Sequence, residues 1–247
     1  MKKHVLFLFF AAIFVNISAQ QVEPTYLANA TYLGVSQPLR DLPKIVPTHN
    51  NDPANYKVGN NEMRFPKKFN QNALPLNGET KAQRDFGGIQ SRALEENFPG
   101  TNIGEGIGVA PPDPTGAVGP NHYVHAVNSA FMIFDKSGTV LAGPSALETL
   151  WPGGGNDGDP IVLYDQLADR WFISQFRTPP NNSLLIAIST TPDPTSTYNI
   201  WEFPMDDFPD YPHYSIWHDA YYLTANKYNG DTTYALDRQA LIDGDAN

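Results

Sequence analysis

Apolar and polar residues alternate in short bursts through the second part of the chain, and no burst is long enough for a sustained helix. HYVHAVN (122–128), AFMIFD (130–135), TVLA (139–142), IVLYD (161–165), WFISQF (171–176), SLLIAIS (183–189), YNIWEF (198–203), YYLTAN (221–226) and TTYALD (232–237) are rich in β-branched and aromatic residues. Each is predicted to be a strand. Turn formers separate them: Lys136-Ser137-Gly138, Gln166–Asp169, Pro192–Thr195 and Asn229-Gly230. Ser145–Leu150 is the only short stretch there with a helical spacing. Before Val109 the pattern is different. Residues 20–108 are rich in proline and asparagine and hold no lasting apolar period, which predicts an irregular lead-in with one or two strands packed on the downstream domain. A short helix fits Lys81–Glu96, weakened by Gly87-Gly88.

A repeat underlies the strands. HYVHAVN, RWFISQF and AYYLTAN each carry an aromatic at the second position, Tyr123, Trp171 and Tyr221, at intervals of 48 and 50 residues. Three residues further on stands a small side chain: Ala126, Ser174 and Thr224. An aspartate near a proline precedes each strand: Asp113-Pro114, Asp159-Pro160 and, with Tyr211 intervening, Asp210-Tyr211-Pro212. A period near 50 residues with about four strands per unit is the sequence sign of a β-propeller. The expected fold is therefore all-β and propeller-like, with about three four-stranded blades over residues 109–247. A β-sandwich is the alternative. Three blades are fewer than a closed ring needs, so the chain is expected to be the N-terminal part of a larger propeller.

Composition narrows the classes. There is no cysteine, which excludes thiol catalysis, thiolate metal sites and disulfides. The formal net charge of −10 argues against a nucleic-acid partner and suits cation binding. Residues 1–19 have the layout of a secretory signal peptide: Lys2 and Lys3, an apolar run over Val5–Val15, then Ser18 and Ala19. That run is too short to span a bilayer, and no later stretch is long and apolar enough. An exported protein is expected, extracellular, on the outer cell surface or periplasmic.

The runs PPDPTGAVGPNHYVHAVNSAFMIFDKSG, GDPIVLYDQLADRWFISQF, AISTTPDPTSTYNIWEFP and FPDYPHYSIWHDAYYLTANKY resemble a group of exported bacterial proteins with a propeller-like region. Many of these, in the Bacteroidota, end in a C-terminal sorting domain of the type IX secretion system. The likeness covers about Val109–Asp245 and implies fold and export; no activity is assigned to the group and no catalytic residue carries over. A weaker likeness is to five-bladed glycosidases of the arabinanase and xylosidase type. It rests on Asp159-Pro160-Ile161-Val162 ahead of an aromatic second strand. In those enzymes carboxylates from different blades meet at the axis.

Candidate chemistry tracks the repeat. In a propeller, Asp113, Asp159 and Asp210 would converge at one mouth of the channel. There they would cap turns, bind a hard cation, or act as the acid and base of glycoside cleavage. The loop GGGNDGD (153–159) offers Asn156, Asp157 and Asp159 as oxygen ligands for calcium, without the full EF-hand pattern. His122 and His125 stand three apart on one strand and point to opposite faces. No G-x-S-x-G elbow is present, which disfavours a serine hydrolase. Trp151, Trp217 and Tyr214 are candidates for stacking on a sugar, or for core. The expected function is a secreted or cell-surface binding module for a carbohydrate or protein ligand. The alternative is a carbohydrate-active hydrolase that uses the axial carboxylates.

Overall fold

A computed structural model describes residues 24, 27–46, 57–58, 96–101, 109–228 and 232–245. The leader expected over residues 1–19 and, apart from Glu96, the helix expected over Lys81–Glu96 lie outside the described residues. The chain is mostly β, arranged as several antiparallel sheets, none of which closes on itself.

Strand β1 (Thr31–Val35) comes from the lead-in, and the short β2 (Lys57–Val58) and β3 (Val109–Ala110) pair in parallel. Three up-and-down sheets come after them. The first holds β4 (Thr115–Val118), β5 (His122–Val127), β6 (Ala130–Asp135) and β7 (Val140–Ala146). The second holds β8 (Ile161–Asp165), β9 (Arg170–Arg177), β10 (Ser183–Ser189) and β11 (Tyr198–Pro204), with β1 paired on the outer edge of β11. The third holds β12 (Asp210–Ile216), β13 (Ala220–Asn226) and β14 (Thr232–Asp237). A six-residue helix, α1 (Arg238–Asp243), comes next; Asp237 caps its start by accepting from Ala240 N, and Gly244 ends it in the left-handed conformation. Ser145–Leu150 forms no α-helix: β7 runs through Ala146 and a single 3-10 turn covers Leu147–Thr149.

The turns are made by aspartates. Asp135 Oδ1 accepts from the backbone N–H groups of Ser137 (2.8 Å) and Thr139 (2.9 Å), and Asp193 Oδ1 accepts from that of Thr195 (2.9 Å). The middle sheet is packed on both faces, which is why β9 and β10 read as continuous apolar runs and are buried almost end to end. Trp171, Ile173 and Leu185 join Val124, Phe131 and Ile133 of the first sheet in one core; Phe172, Ile186 and Ile188 join Tyr221 and Leu236 of the third in another. Beyond β1 the lead-in acts as a strap. Leu39 is fully buried in the first core, and Ile45 N donates to Pro144 O at 2.7 Å.

The three sheets share one register. The aromatics Tyr123, Trp171 and Tyr221 stand opposite Val118, Tyr164 and Ile216. The small residues Ala126, Ser174 and Thr224 stand opposite Thr115, Ile161 and His213, in each case the residue just after the proline. The sheet-to-sheet contact also recurs. At the end of β4, Gly119 leaves room for Trp171, whose Cζ2 would lie 2.6 Å from an added Cβ. The matching position at the end of β8 is Asp165, and Tyr221 donates its hydroxyl to Asp165 Oδ2 at 2.8 Å. The first strands also touch directly: Val162 N donates to Thr115 Oγ1 at 3.3 Å.

Candidate acidic site where the first strands begin

Strands β4, β8 and β12 each start beside a proline, Pro114, Pro160 and Pro212. The residues before them, Asp113, Asp159 and Tyr211, have φ of 38°, 46° and 53°. Left-handed backbone is uncommon outside glycine, and aspartate tolerates it better than most residues. By this geometry Tyr211, not Asp210, is the structural counterpart of Asp113 and Asp159. The intervening tyrosine of the third repeat occupies the special position, and the acid stands one residue earlier.

Asp210 nevertheless contributes its charge to the same place. Burial, then the charge of Asp113, then that of Asp210 push the Asp159 carboxyl up to about 6. A single amide ties the first two acids together. Asn128, buried at the end of β5, donates through Nδ2 to Asp113 Oδ2 (2.8 Å) and to Pro111 O (2.6 Å), while its Oδ1 accepts from Asp159 N (2.8 Å). Gly158 has φ of 101°, and a Cβ there would meet Asn128 Oδ1 at 2.8 Å. Asn128 therefore reads the backbone of one sheet and the carboxylate of another. Its signal in the sequence is a lone amide closing an apolar strand.

The other candidates part company. Asp157 Oδ2 accepts from Thr178 N at 2.9 Å, while Asp159 faces Asp113 and Asp210, so these two acids of the 153–159 loop engage different partners. Asn156 Oδ1 is buried. Among the described residues no three His, Asp or Glu side chains are placed to hold a metal ion. Trp151 is no sugar platform: it is fully buried and its Nε1 donates to Ile186 O at 3.3 Å. Tyr214 is likewise core, its ring 4.8 Å from that of Phe172 and its hydroxyl enclosed, because alternation along β12 turns it toward the second sheet. Trp217 is 61% exposed, but it lies just past the end of β12 remote from the acids. Tyr211, beside Asp210, is the exposed aromatic at the acidic end. His125 accepts from Thr101 N at 3.1 Å through Nδ1, and burial holds its pKa below the usual range.

A second cluster, which the residue pattern does not announce, joins the second and third sheets. Asp165 is fully buried and receives Arg238 Nε at 2.6 Å, Arg238 Nη2 at 3.1 Å, the Tyr221 hydroxyl and the Leu167 N–H at 2.9 Å. Burial works to raise its pKa, but the hydrogen bonds from Arg238 and Tyr221 and the Arg238 charge leave it lowered. With every lone pair engaged, this cluster is a structural fastener between sheets. Among the described residues no helix is long and apolar enough to cross a membrane. No known protein family, curated protein or solved structure matches the chain.

Proposed function

We propose that the chain is an exported binding module on a propeller-like scaffold, whose carbohydrate or protein ligand docks where the first strands begin. The reading of the scaffold is supported by the common register of the three sheets and by first strands that pack on one another. Export rests on the leader pattern of residues 1–19 and on the resemblance to exported proteins of the Bacteroidota.

One observation carries the functional reading: Asp113 and Asp210, from the sheets on either side, lie near enough to the half-buried Asp159 that their charges add to burial in raising its carboxyl to about 6. Such a mouth favours ligands that donate hydrogen bonds, such as sugar hydroxyls or a basic protein loop. The same observation favours a second reading as a hydrolase. Asp159, its carboxyl raised to about 6, would protonate a glycosidic oxygen, with Asp113 as the second carboxyl of the pair. Binding is placed first because Trp151 and Tyr214 are core and Trp217 lies at the opposite end of β12, leaving Tyr211 as the ring at hand.

Calorimetric titration with soluble arabinan, xylan and laminarin, with reducing-end release assayed in parallel, tests both readings. Binding without cleavage, lost in Asp159→Asn and Asp113→Asn, is the expected result. Binding that survives both changes removes the acidic mouth as the site, and cleavage that is lost in Asp159→Asn moves the assignment to the hydrolase.

A further inference from the structure

The segment that joins the first two sheets, residues 153–159, is seated step by step on the end of the second sheet. Gly154 lies over Leu185, whose Cδ1 would stand 2.7 Å from an added Cβ. Gln175 is the cross-strand partner of Leu185, and its Nε2 donates to Gly155 O at 3.1 Å. Further along, Asp157 Oδ2 accepts from Thr178 N at 2.9 Å and from Thr178 Oγ1 at 3.2 Å. Gly155 stands at the centre with φ of 76°. The Asp157 carboxylate folds back over it, 3.6 Å from where a Cβ would be.

Hydrogen bonding around Gly155 is one-sided. Gln175 is fully buried, and reversing its amide would set Oε1 against the Gly155 carbonyl. Oε1 is therefore the free end, and no described residue donates to it. Asn156 Oδ1 is enclosed in the same condition. Asp157 Oδ1 is the third oxygen, because Thr178 engages only Oδ2. Arg177, two residues along β9 from Gln175, directs Nη1 to Glu202 Oε1 at 2.9 Å, and its Nε bonds to none of the three. A buried acceptor without a donor is costly, and native structures supply a partner. One water donates only two hydrogen bonds and cannot serve three acceptors. A carboxylate and two amide oxygens beside the carbonyls of a glycine-rich turn are the ligand class of calcium, whereas magnesium demands a tighter octahedron.

We propose that Gln175, Asn156 and Asp157 hold a calcium ion that pins the 153–159 segment to the end of the second sheet. Two of the three side chains are amides, so no trio of acids or histidines marks the site among the described residues. The net charge of −10 favours the ion, but a single carboxylate keeps the affinity weak, with Kd about 0.1–1 mM. The site is separate from the acidic mouth, since Asp159 faces Asp113 and Asp210. It does not rest on the reading of that mouth as a ligand site.

Thermal unfolding of the purified chain, stripped with EGTA and titrated with calcium chloride at constant ionic strength, tests this, with Kd taken from calorimetry. The expected result is a Tm higher by roughly 3–10 °C at about 10 mM calcium, and little change with magnesium. Asp157→Asn keeps an acceptor for Thr178 N and weakens calcium binding roughly tenfold or more, while Asn156→Asp adds a carboxylate and tightens it about tenfold. The second variant keeps the test decisive if the first fails to fold. No response to calcium, a Kd unchanged in both variants, or an equal rise with magnesium overturns the proposal. So does calcium binding that survives Asp157→Asn and disappears in Asp159→Asn, which would give the ion to the three acids of the mouth. Glycan titration plays no part in these readouts, so failure of the mouth and failure of this site are told apart.

Discussion

Replacing Asp159 by Asn separates the charge of this residue from its shape. Asparagine keeps the size of the side chain and accepts the left-handed backbone that Asp159 adopts at φ 46°. The carboxyl is raised from the ordinary 3.8 to about 6, first by burial and then by Asp113 and Asp210. At about 1.36 kcal/mol per pKa unit this corresponds to roughly 3 kcal/mol. Partial exposure of the residue screens part of it, leaving about 1–2 kcal/mol. The sign is set by the direction of the shift. The folded protein holds this proton more tightly than the unfolded chain, so the contribution is fully present below about pH 4 and is lost as pH rises through 6. Urea unfolding of the two proteins at pH 4 and at pH 7.5 reads it directly. Near-equal stability at pH 4 and a more stable Asp159→Asn protein at pH 7.5 are expected. An equal difference at both pH values, or a less stable variant at pH 7.5, would falsify the clustering of acids on which the site depends.

The fastener between the second and third sheets gives a prediction of opposite sign. Arg238→Met leaves Asp165 charged and buried without its main partner and should cost about 3–5 kcal/mol in urea or thermal unfolding. Because Asp165 is lowered in the folded protein, the wild-type chain loses this contribution as pH falls below the usual carboxylate range, and Arg238→Met should show a flatter acid limb. Gly119→Val places a Cβ 2.6 Å from Trp171 Cζ2 and should destabilise by about 1–3 kcal/mol, with a change in tryptophan fluorescence that marks the joint between the first two sheets. A variant as stable as the wild type, with the same emission, would show that the two sheets do not meet there.

The strands with strong internal patterns were legible from composition alone: Ala130–Asp135, Ile161–Asp165, Ser183–Ser189 and Thr232–Asp237 fall on the predicted residues. The first strands of the outer sheets were not. TGAV and DYPHYSI are half exposed and lack a dense apolar face, because such a strand packs on its neighbour with small or mixed residues. Helix α1 was missed because its core is six residues long, although Asp237 and Gly244 are cap signals that mark its ends.

Local chemistry fixed which segments are extended, where they turn, and that one unit recurs about every 50 residues, because these depend on neighbours a few positions apart. Only the tertiary arrangement decided that Tyr211 stands in register with Asp113 and Asp159, that Asn128 bridges two sheets, and that Trp151 is core while Trp217 is exposed. Those outcomes depend on which faces are covered by residues tens of positions away, and that is settled when the sheets pack against one another.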